Sequence, residues 1–536
     1  MKFGCTVNIG VFSEYRVGDA LELYNAFGSV EEVFAFLGAN VDSVELHTVR
    51  DDTDLEQLEK AVLTCREYGL SCTYHGSLKT YTTPENFFAP YEYLLKKGLA
   101  DNFTITLHPQ DQYEYIVEVL KALCDYAGMK QIPVMLCLEN QRIQKDRMAE
   151  GICQNVADIV SCVNSAYLNV CFDFGHRKSN AEKYGDDADV VPEDFYRRTA
   201  HTHIHSWYEG TTHYPIHVGK VQLETNLLAL FRNGYDGVLN LELCPGRFCG
   251  TFDVKEGFCN SVSVLKTATE QARAMLAAME KYEQYEDNAK PVFEALQREK
   301  FSVGAIAPAA YVFRFGDVKL AIDPSFAGFS EQEEKYAYLI TKLQDFDAVF
   351  ITHGHSDHYS PYFLEELGKS IKVYVPDFLE CANTVPYTVG DSVKLGELTV
   401  TGFVSCHDEP GMNPYPEYGL NLTYRGKTIT MPADIRDYRT DRFRGMKADL
   451  LIGHLWLGRG NGLNLYNNTF IAEFCDFING FDASRVFIGH MDDVRRNMQS
   501  IWTDVHFAEV QKNIPNVETI KFGDCKSLAW LGFEED

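Results

Sequence analysis

The segment from Ala348 to His358, AVFITHGHSDH, carries four metal-capable side chains within six residues: His353, His355, Asp357 and His358. Val349, Phe350 and Ile351 make a short strand-like run that stops at Thr352. Imidazoles and a carboxylate at this spacing converge on one or two borderline divalent cations where the backbone turns sharply, and Gly354 permits that turn. Ser360 and Pro361 then read as the N-cap and first residue of a helix running to Leu367. A loop pinned between strand and helix is a rigid mount for chemistry.

A second set of such residues is dispersed through the first 250 or so positions. Short apolar runs fall at Phe3–Ile9, Ser43–Thr48, Ser71–Tyr74, Phe103–Leu107, Val134–Leu138, Leu168–Phe172, Thr199–Ile204 and Val238–Leu243, separated by amphipathic stretches such as Leu55–Tyr68. Eight strands with helical crossovers predict a (β/α)8 barrel. An open doubly wound sheet is the alternative, but no glycine-rich phosphate loop follows the first strand. Chemistry on such a barrel sits where strands end. His75, His108, Glu139, Asp173 with His176, His203 with His205, and Glu242 each follow an apolar run almost at once. Carboxylates and imidazoles gathered at a barrel mouth make a divalent-metal site. Arg247, in the loop CPGRF after Glu242, reads either as a contact for a substrate anion or as a solvated arginine.

THGHSDH resembles the T-H-x-H-x-D-H signature of the metallo-β-lactamase superfamily. YVFRFGDVKLAIDPSF reads as a hairpin turning at Gly316-Asp317 and resembles the opening of that fold. Three further residues close strand-like runs: His407 in TVTGFVSCH, Asp434 in TITMPAD and His490 in RVFIGH. The resemblance implies an αββα fold and a two-metal hydrolase, with two Zn2+ or Mn2+ ions. His353, His355 and His407 would hold one ion, Asp357, His358 and His490 the other, and Asp434 would bridge them. Asp357 or Asp434 would take a proton during turnover. His454 lies outside that ligand set and is read as a substrate contact or a buried structural histidine. The APAAYVFRFGDVKLAIDPS start and PADIRD look most like the ascorbate-6-phosphate lactonase (UlaG-like) group.

The first half resembles the xylose-isomerase-like (AP endonuclease 2) superfamily of sugar isomerases and epimerases. That resemblance implies Glu139, Asp173, His203 and Glu242 as ligands of one Mn2+ or Zn2+ ion, with Glu139 and Glu242 also serving as bases. His176 is the implied substrate contact, and His205 is assigned beside it. AHTHIHSW matches the family's H-x-H-[LI]-K-D best with His203 as the second histidine, although His205-Ser206 stands where Lys-Asp is usual. THYPIHVGKV resembles the family's H-x-P-x-G-x-G segment, with His217 at a position where glycine is common. Endonuclease IV, in the same superfamily, holds three zinc ions. His75, His108, Glu139, Asp173, His176, His203, His213 and Glu242 match its pattern, and Thr211 replaces one aspartate. His213 is therefore a further metal-ligand candidate, while His75 and His108 are substrate contacts or ligands of a weaker second ion.

Length and composition agree with two fused domains: 536 residues exceed one ordinary core. The expected division is a barrel at 1–285, a linker at 286–300 carrying Pro291 and a short helix at Val292–Arg298, and the second domain at 301–536, with Val262–Tyr285 as a helix closing the barrel. A net charge of -28 repels nucleic-acid phosphates and anionic membranes. Fifteen scattered cysteines without a CxxC pair suit free thiols in a reducing compartment. No apolar run approaches the ~18 residues that would span a bilayer. The expectation is a cytoplasmic bifunctional enzyme of carbohydrate metabolism, a sugar isomerase or epimerase fused to a hydrolase of a lactone or phosphoester. Its partner is a small sugar or sugar phosphate, not nucleic acid or membrane, and homo-oligomerisation is left open. The alternatives are two phosphoesterases, or one domain reduced to a binding module.

Overall fold

The computed structural model describes the chain apart from residues 79–82, 110–114, 144–151, 326–332, 408–414, 515 and 534–536. It contains two compact units, Met1–Thr269 and Glu270–Asp536. The division falls inside one long helix, Val254–Glu283, which begins earlier than the 262 expected from its apolar spacing.

The first unit is built on strands β1 (Lys2–Asn8), β2 (Ser43–Val49), β3 (Ser71–Gly76), β4 (Phe103–Leu107), β5 (Val134–Glu139), β6 (Leu168–Asp173) and β7 (Thr199–Ile204), a small hairpin of β8 (Ser206–Tyr208) and β9 (Thr211–Tyr214), and β10 (Val238–Leu241). All except the hairpin close into a barrel of order β1-β10-β7-β6-β5-β4-β3-β2. The pairs are parallel, so every strand presents its C-terminal end at the same mouth. Crossover helices begin with local signals. Asp54 accepts hydrogen bonds from the Glu56 and Gln57 amides to start Leu55–Glu67, and Thr83 caps Pro84–Lys96.

The second unit stacks two seven-stranded sheets. One contains β11 (Phe301–Ala305), β12 (Tyr311–Phe315), β13 (Val318–Ile322), β14 (Ala348–Phe350), β15 (Lys372–Pro376), β16 (Val385–Tyr387) and, at the far edge, Cys525–Ser527. The other contains β17 (Ser392–Leu395), β18 (Leu398–Val404), β19 (Tyr418–Tyr424), β20 (Lys427–Met431), β21 (Lys447–His454), β22 (Asp482–Gly489) and β23 (Val517–Thr519). Phe313, Leu320 and Phe350 from the first sheet share a core with Leu420, Ile429 and Leu450 from the second. Helices Tyr285–Arg298, Glu333–Leu343 and Pro361–Leu367 cover one outer face, and Phe470–Gly480 with Asp504–Gln511 covers the other. The layers are therefore αββα.

Two local expectations change. The stretch 286–300 is helical beyond the expected Val292–Arg298. It lies mostly within helix Tyr285–Arg298, which buries Tyr285, Ala289, Val292, Phe293 and Leu296 along one stripe against the first sheet. Pro291 sits inside that helix on its exposed side. Ser360 does occupy the N-cap of Pro361–Leu367, but its side chain makes no capping hydrogen bond.

Gly489 ends β22 where the chain passes tightly under Tyr311. A Cβ there would lie 1.9 Å from the Tyr311 hydroxyl and 3.3 Å from the Ile520 carbonyl. Gly489→Ala should cost about 1–3 kcal/mol, read as a lower thermal midpoint. Gly480→Ala, whose Cβ meets only Arg444 at 3.9 Å, should leave the midpoint nearly unchanged.

Candidate metal centres

In the barrel the strand ends converge. Parallel pairing sets Asp173 opposite His203 across β6 and β7 and brings Glu139 to the end of β5. His203 Nε2 donates to Glu45 Oε2 at 2.9 Å, which leaves Nδ1 as the ring nitrogen that faces the barrel mouth. That Nδ1 lies 3.3 Å from Glu139 Oε2 and 3.3 Å from Glu242 Oε2. His108 Nε2 is 3.3 Å and His75 Nε2 3.8 Å from the same Glu139 oxygen. His75 Nε2, Glu139 Oε2, His203 Nδ1 and Glu242 Oε2 are all buried without a hydrogen-bond partner among the described residues. Imidazole nitrogens and carboxylate oxygens facing one another in a buried space need a proton or a cation between them. The donor set fits a divalent ion.

Neighbouring groups hold this constellation. Asp173 Oδ2 accepts from His205 Nε2 at 3.0 Å, and His205 Nδ1 accepts from the His213 amide at 2.9 Å. Both His205 nitrogens are thus engaged, which orients Asp173. His176 Nδ1 lies 2.9 Å from Glu139 Oε1. Arg247 Nη1 donates to His213 Nδ1 at 2.8 Å and to Thr212 at 3.1 Å. His213 therefore turns its Nε2–H toward Glu242 Oε2, 3.3 Å away, and the guanidinium takes the place beside it.

The charges follow from these contacts. Burial raises Glu45, but His203 and His201 more than reverse it and hold the carboxyl well below its usual range. Glu139 is likewise pushed up by burial and pulled well down by His108 and His203. Glu242 goes the other way: burial keeps it above the ordinary carboxyl range despite His203. Burial, then His75, hold His47 down to about 3.

In the second unit, the loop after β14 and the ends of β18, β20, β21 and β22 meet. His353 Nε2 and His355 Nδ1 stand 3.1 Å apart, and His407 joins them, the three groups offering ligand atoms within 4.8 Å of one another. Beside them, Asp434 Oδ1 lies 2.6 Å from His454 Nδ1, 2.9 Å from His490 Nδ1 and 3.5 Å from His358 Nε2. Asp357 Oδ2 is 3.3 Å from His490 Nε2. Asp323 Oδ2 accepts from His358 Nδ1 at 2.8 Å, and Glu417 Oε1 lies 3.3 Å from His353 Nδ1. These two carboxylates aim the opposite ring nitrogens into the centre. His358, His407 and His454 Nε2 are buried there without partners among the described residues. This donor set also fits divalent cations.

Family comparison resolves the two halves. Residues 47–278 match the family model described as a xylose isomerase-like TIM barrel, and residues 305–441 match the one described as a beta-lactamase superfamily domain. The chain joins a xylose isomerase-like TIM barrel to a beta-lactamase-superfamily domain. Among solved structures, D-psicose 3-epimerase is 16% identical over 51% of this chain and 98% of its own, with a TM-score of 0.34. The 3-keto-D-glucoside 4-epimerase YcjR from E. coli is 14% identical over 50% and 99%, TM-score 0.33. The metallo-beta-lactamase fold protein YhfI from Bacillus subtilis is 18% identical over 42% and 99%, TM-score 0.31. No curated protein matches.

The structure brings the residues read from sequence as ligands, bases or substrate contacts to one of the two centres, with differing geometry. Glu139, Asp173, His203 and Glu242 form the core of the barrel centre, with His75, His108 and His176 around Glu139. His205 and Arg247 act through Asp173 and His213. In the beta-lactamase-superfamily domain, His454 stands inside the cluster rather than at its rim. Sequence reasoning passed over Glu45, His47 and His201 in the barrel, and Asp323, Glu417 and Asp493 in the other domain. The missed barrel signal is period two: Glu45 and His47 share one face of β2, and His201, His203 and His205 run along one face through β7. No local pattern marks Glu417.

Two outcomes are expected. Glu45→Gln should weaken metal binding to the barrel roughly 10–100-fold, measured by competition with a chromogenic chelator. In the beta-lactamase-superfamily domain, burial lowers His358 and His490, but Asp434 outweighs it and raises both, His490 to about 9. Raised pKa values mean both imidazoles carry protons at neutral pH in the metal-free protein. Metal uptake there should release protons, so apparent affinity should rise from pH 6.5 to 8.5.

Proposed function

We propose that this chain is a two-headed metal-dependent enzyme of carbohydrate metabolism. Its barrel isomerises or epimerises a sugar or sugar phosphate, and its beta-lactamase-superfamily domain hydrolyses a lactone or phosphoester. The observation that carries the barrel reading is His203 Nδ1 with Glu139 Oε2 and Glu242 Oε2 each 3.3 Å from it, all three buried without a hydrogen-bond partner among the described residues. Glu139, Asp173, His203 and Glu242 would hold one Mn2+ or Zn2+ ion, which when bound stabilises charge on the substrate's carbonyl and hydroxyl oxygens.

The chain's own residues do the rest. Glu242, held above the ordinary carboxyl range by burial, is the group suited to exchange a proton at the carbon beside the carbonyl near neutral pH. Glu139 serves from the opposite side. His213, fixed by Arg247 with its Nε2–H toward Glu242, steadies that carboxyl in its charged form. Thr6, Asn8, His47 and Asp19 line a small cavity reaching Glu242 and offer partners for sugar hydroxyls. His75, His108 and His176 contribute further contacts at the mouth.

In the other domain, His353, His355 and His407 with Asp357, His358, His490 and Asp434 would hold two Zn2+ or Mn2+ ions, which when bound activate a water and polarise the scissile group. Asp357 and Asp434 are the proton acceptors. His454, hydrogen-bonded to Asp434 at 2.6 Å, restrains it in position. No helix among the described residues is long and apolar enough to cross a membrane, and with a net charge of -28 a cytoplasmic protein acting on small molecules, not nucleic acid, is the reading we adopt.

A second reading makes the barrel a phosphoesterase with more than one ion, and the approach of His75 and His108 to Glu139 favours it. Arg247 weighs against it, because a guanidinium donating to His213 Nδ1 keeps the ring proton on Nε2, the nitrogen that faces Glu242.

Metal analysis of the full chain separates the readings: about three ions per chain, one of them lost in Glu242→Gln, supports the isomerase, and five overturns it. On a panel of sugar phosphates and lactones, Glu242→Gln should lower isomerisation by about 100-fold or more while leaving hydrolysis intact. Asp434→Ala should abolish hydrolysis and spare isomerisation. Hydrolysis that survives Asp434→Ala would remove that residue from the centre.

A further inference from the structure

Immediately after His490 the chain reads MDDVRR, and its two arginines reach back to the hydrolase centre. Asp493 is 3% exposed and takes Arg495 through two hydrogen bonds, Nε to Oδ1 and Nη2 to Oδ2, both 2.7 Å. The same carboxylate accepts from Arg496 Nε at 3.0 Å. Both guanidiniums then approach one oxygen of Asp357, Arg495 Nη2 at 3.4 Å and Arg496 Nη2 at 3.6 Å. Arg496 Nη2 also lies 3.2 Å from His490 Nε2. The two side chains are 25% and 21% exposed, so they face the solvent side of an otherwise buried cluster.

The turn that carries them is pinned. The Asp492 amide donates to the Trp502 carbonyl at 2.8 Å, Lys521 Nζ pairs with Asp492 at 2.9 Å, and the Arg496 amide donates to the Asp493 carbonyl at 3.0 Å. The forks are therefore held before any ligand arrives, the condition under which arginine recognises an oxyanion with least loss of freedom.

Two cationic side chains beside a centre that collects cations are an electrostatic liability unless something negative joins them. Asp493 neutralises one. Asp357 faces the other, but on the hydrolase reading Asp357 serves the metal centre, which leaves two guanidiniums sharing one carboxylate. We propose that Arg495 and Arg496 form an anion-recognition fork that seats a phosphate or carboxylate group of the substrate beside Asp357. This rests on the hydrolase reading for the word substrate, though not for anion binding itself. It makes the preferred substrate an anionic sugar derivative rather than a neutral lactone.

The test uses the full-length, metal-loaded protein titrated calorimetrically with inorganic phosphate and, separately, with acetate. Wild type should bind phosphate, and R495Q/R496Q should bind it about 10-fold more weakly or worse, with unchanged metal content and thermal midpoint. R495K/R496K should fall between, since it keeps the charge and loses the fork. Tighter acetate than phosphate binding, lost in the same variant, would assign the fork to a carboxylate. Phosphate and acetate affinities unchanged in R495Q/R496Q would overturn the proposal. So would loss of metal from that variant, which would make the arginines supports for Asp357. Arginine-dependent anion binding in a protein that hydrolyses nothing on the panel would leave the fork standing and defeat the hydrolase reading alone.

Discussion

Each half of this protein is arranged around the same physical constraint: carboxylates and imidazoles that face one another in a place water does not reach. In the barrel these are His203 Nδ1, Glu139 Oε2 and Glu242 Oε2; in the other domain Asp434 Oδ1 sits among three imidazoles. Buried carboxylate oxygens and unprotonated ring nitrogens repel at such distances unless a proton or a metal ion lies between them. The displaced titration of these groups expresses that conflict. Burial alone would neutralise Glu139 and Asp434, yet facing histidines hold both ionised, while Glu242 is pushed toward the protonated form.

The two folds meet the constraint by different means. The barrel uses parallel register, which brings the ends of β5, β6 and β7 to one level and lets side chains separated by dozens of residues share a single mouth. The αββα domain uses loops at the edge where its two sheets meet, with Gly354 and the tight passage at Gly489 admitting close backbone approach. In both, a second set of buried groups determines which ring nitrogen points inward. Glu45 does so for His203, Asp323 for His358, and Glu417 stands against His353.

Arginine has a distinct part in this arrangement. Arg247 places a permanent cation against His213, and burial together with His205, His176 and this guanidinium holds that imidazole well below its ordinary range. A guanidinium cannot give up its proton as a histidine can, so the tautomer it imposes is constant over the working range of pH. The cluster of His176, His205 and His213 also orients the carboxylates, through His205 on Asp173 and the His213 amide on His205.

The sequence alone determined the eight barrel strands and the strand-end positions of Glu139, Asp173, His203 and Glu242, because apolar run length and period-two alternation are local properties of the chain. It also determined the loop from His353 to His358, whose spacing is compact enough to read directly. What it did not contain was the pairing of groups that meet only after folding. Glu45 and His203 are 158 residues apart, and Asp323 and His358 are 35 apart. In the stretch taken as a linker, with a helix only at Val292–Arg298, the helix starts at Tyr285, since the full apolar stripe acquires meaning only against the sheet it covers. The division of labour between His203 and His205 was likewise settled in three dimensions. Both lie on one face of the chain through β7, and only closure of the barrel sets Glu45 under one and the His213 amide beside the other, leaving a single ring nitrogen unpaired to face the carboxylates.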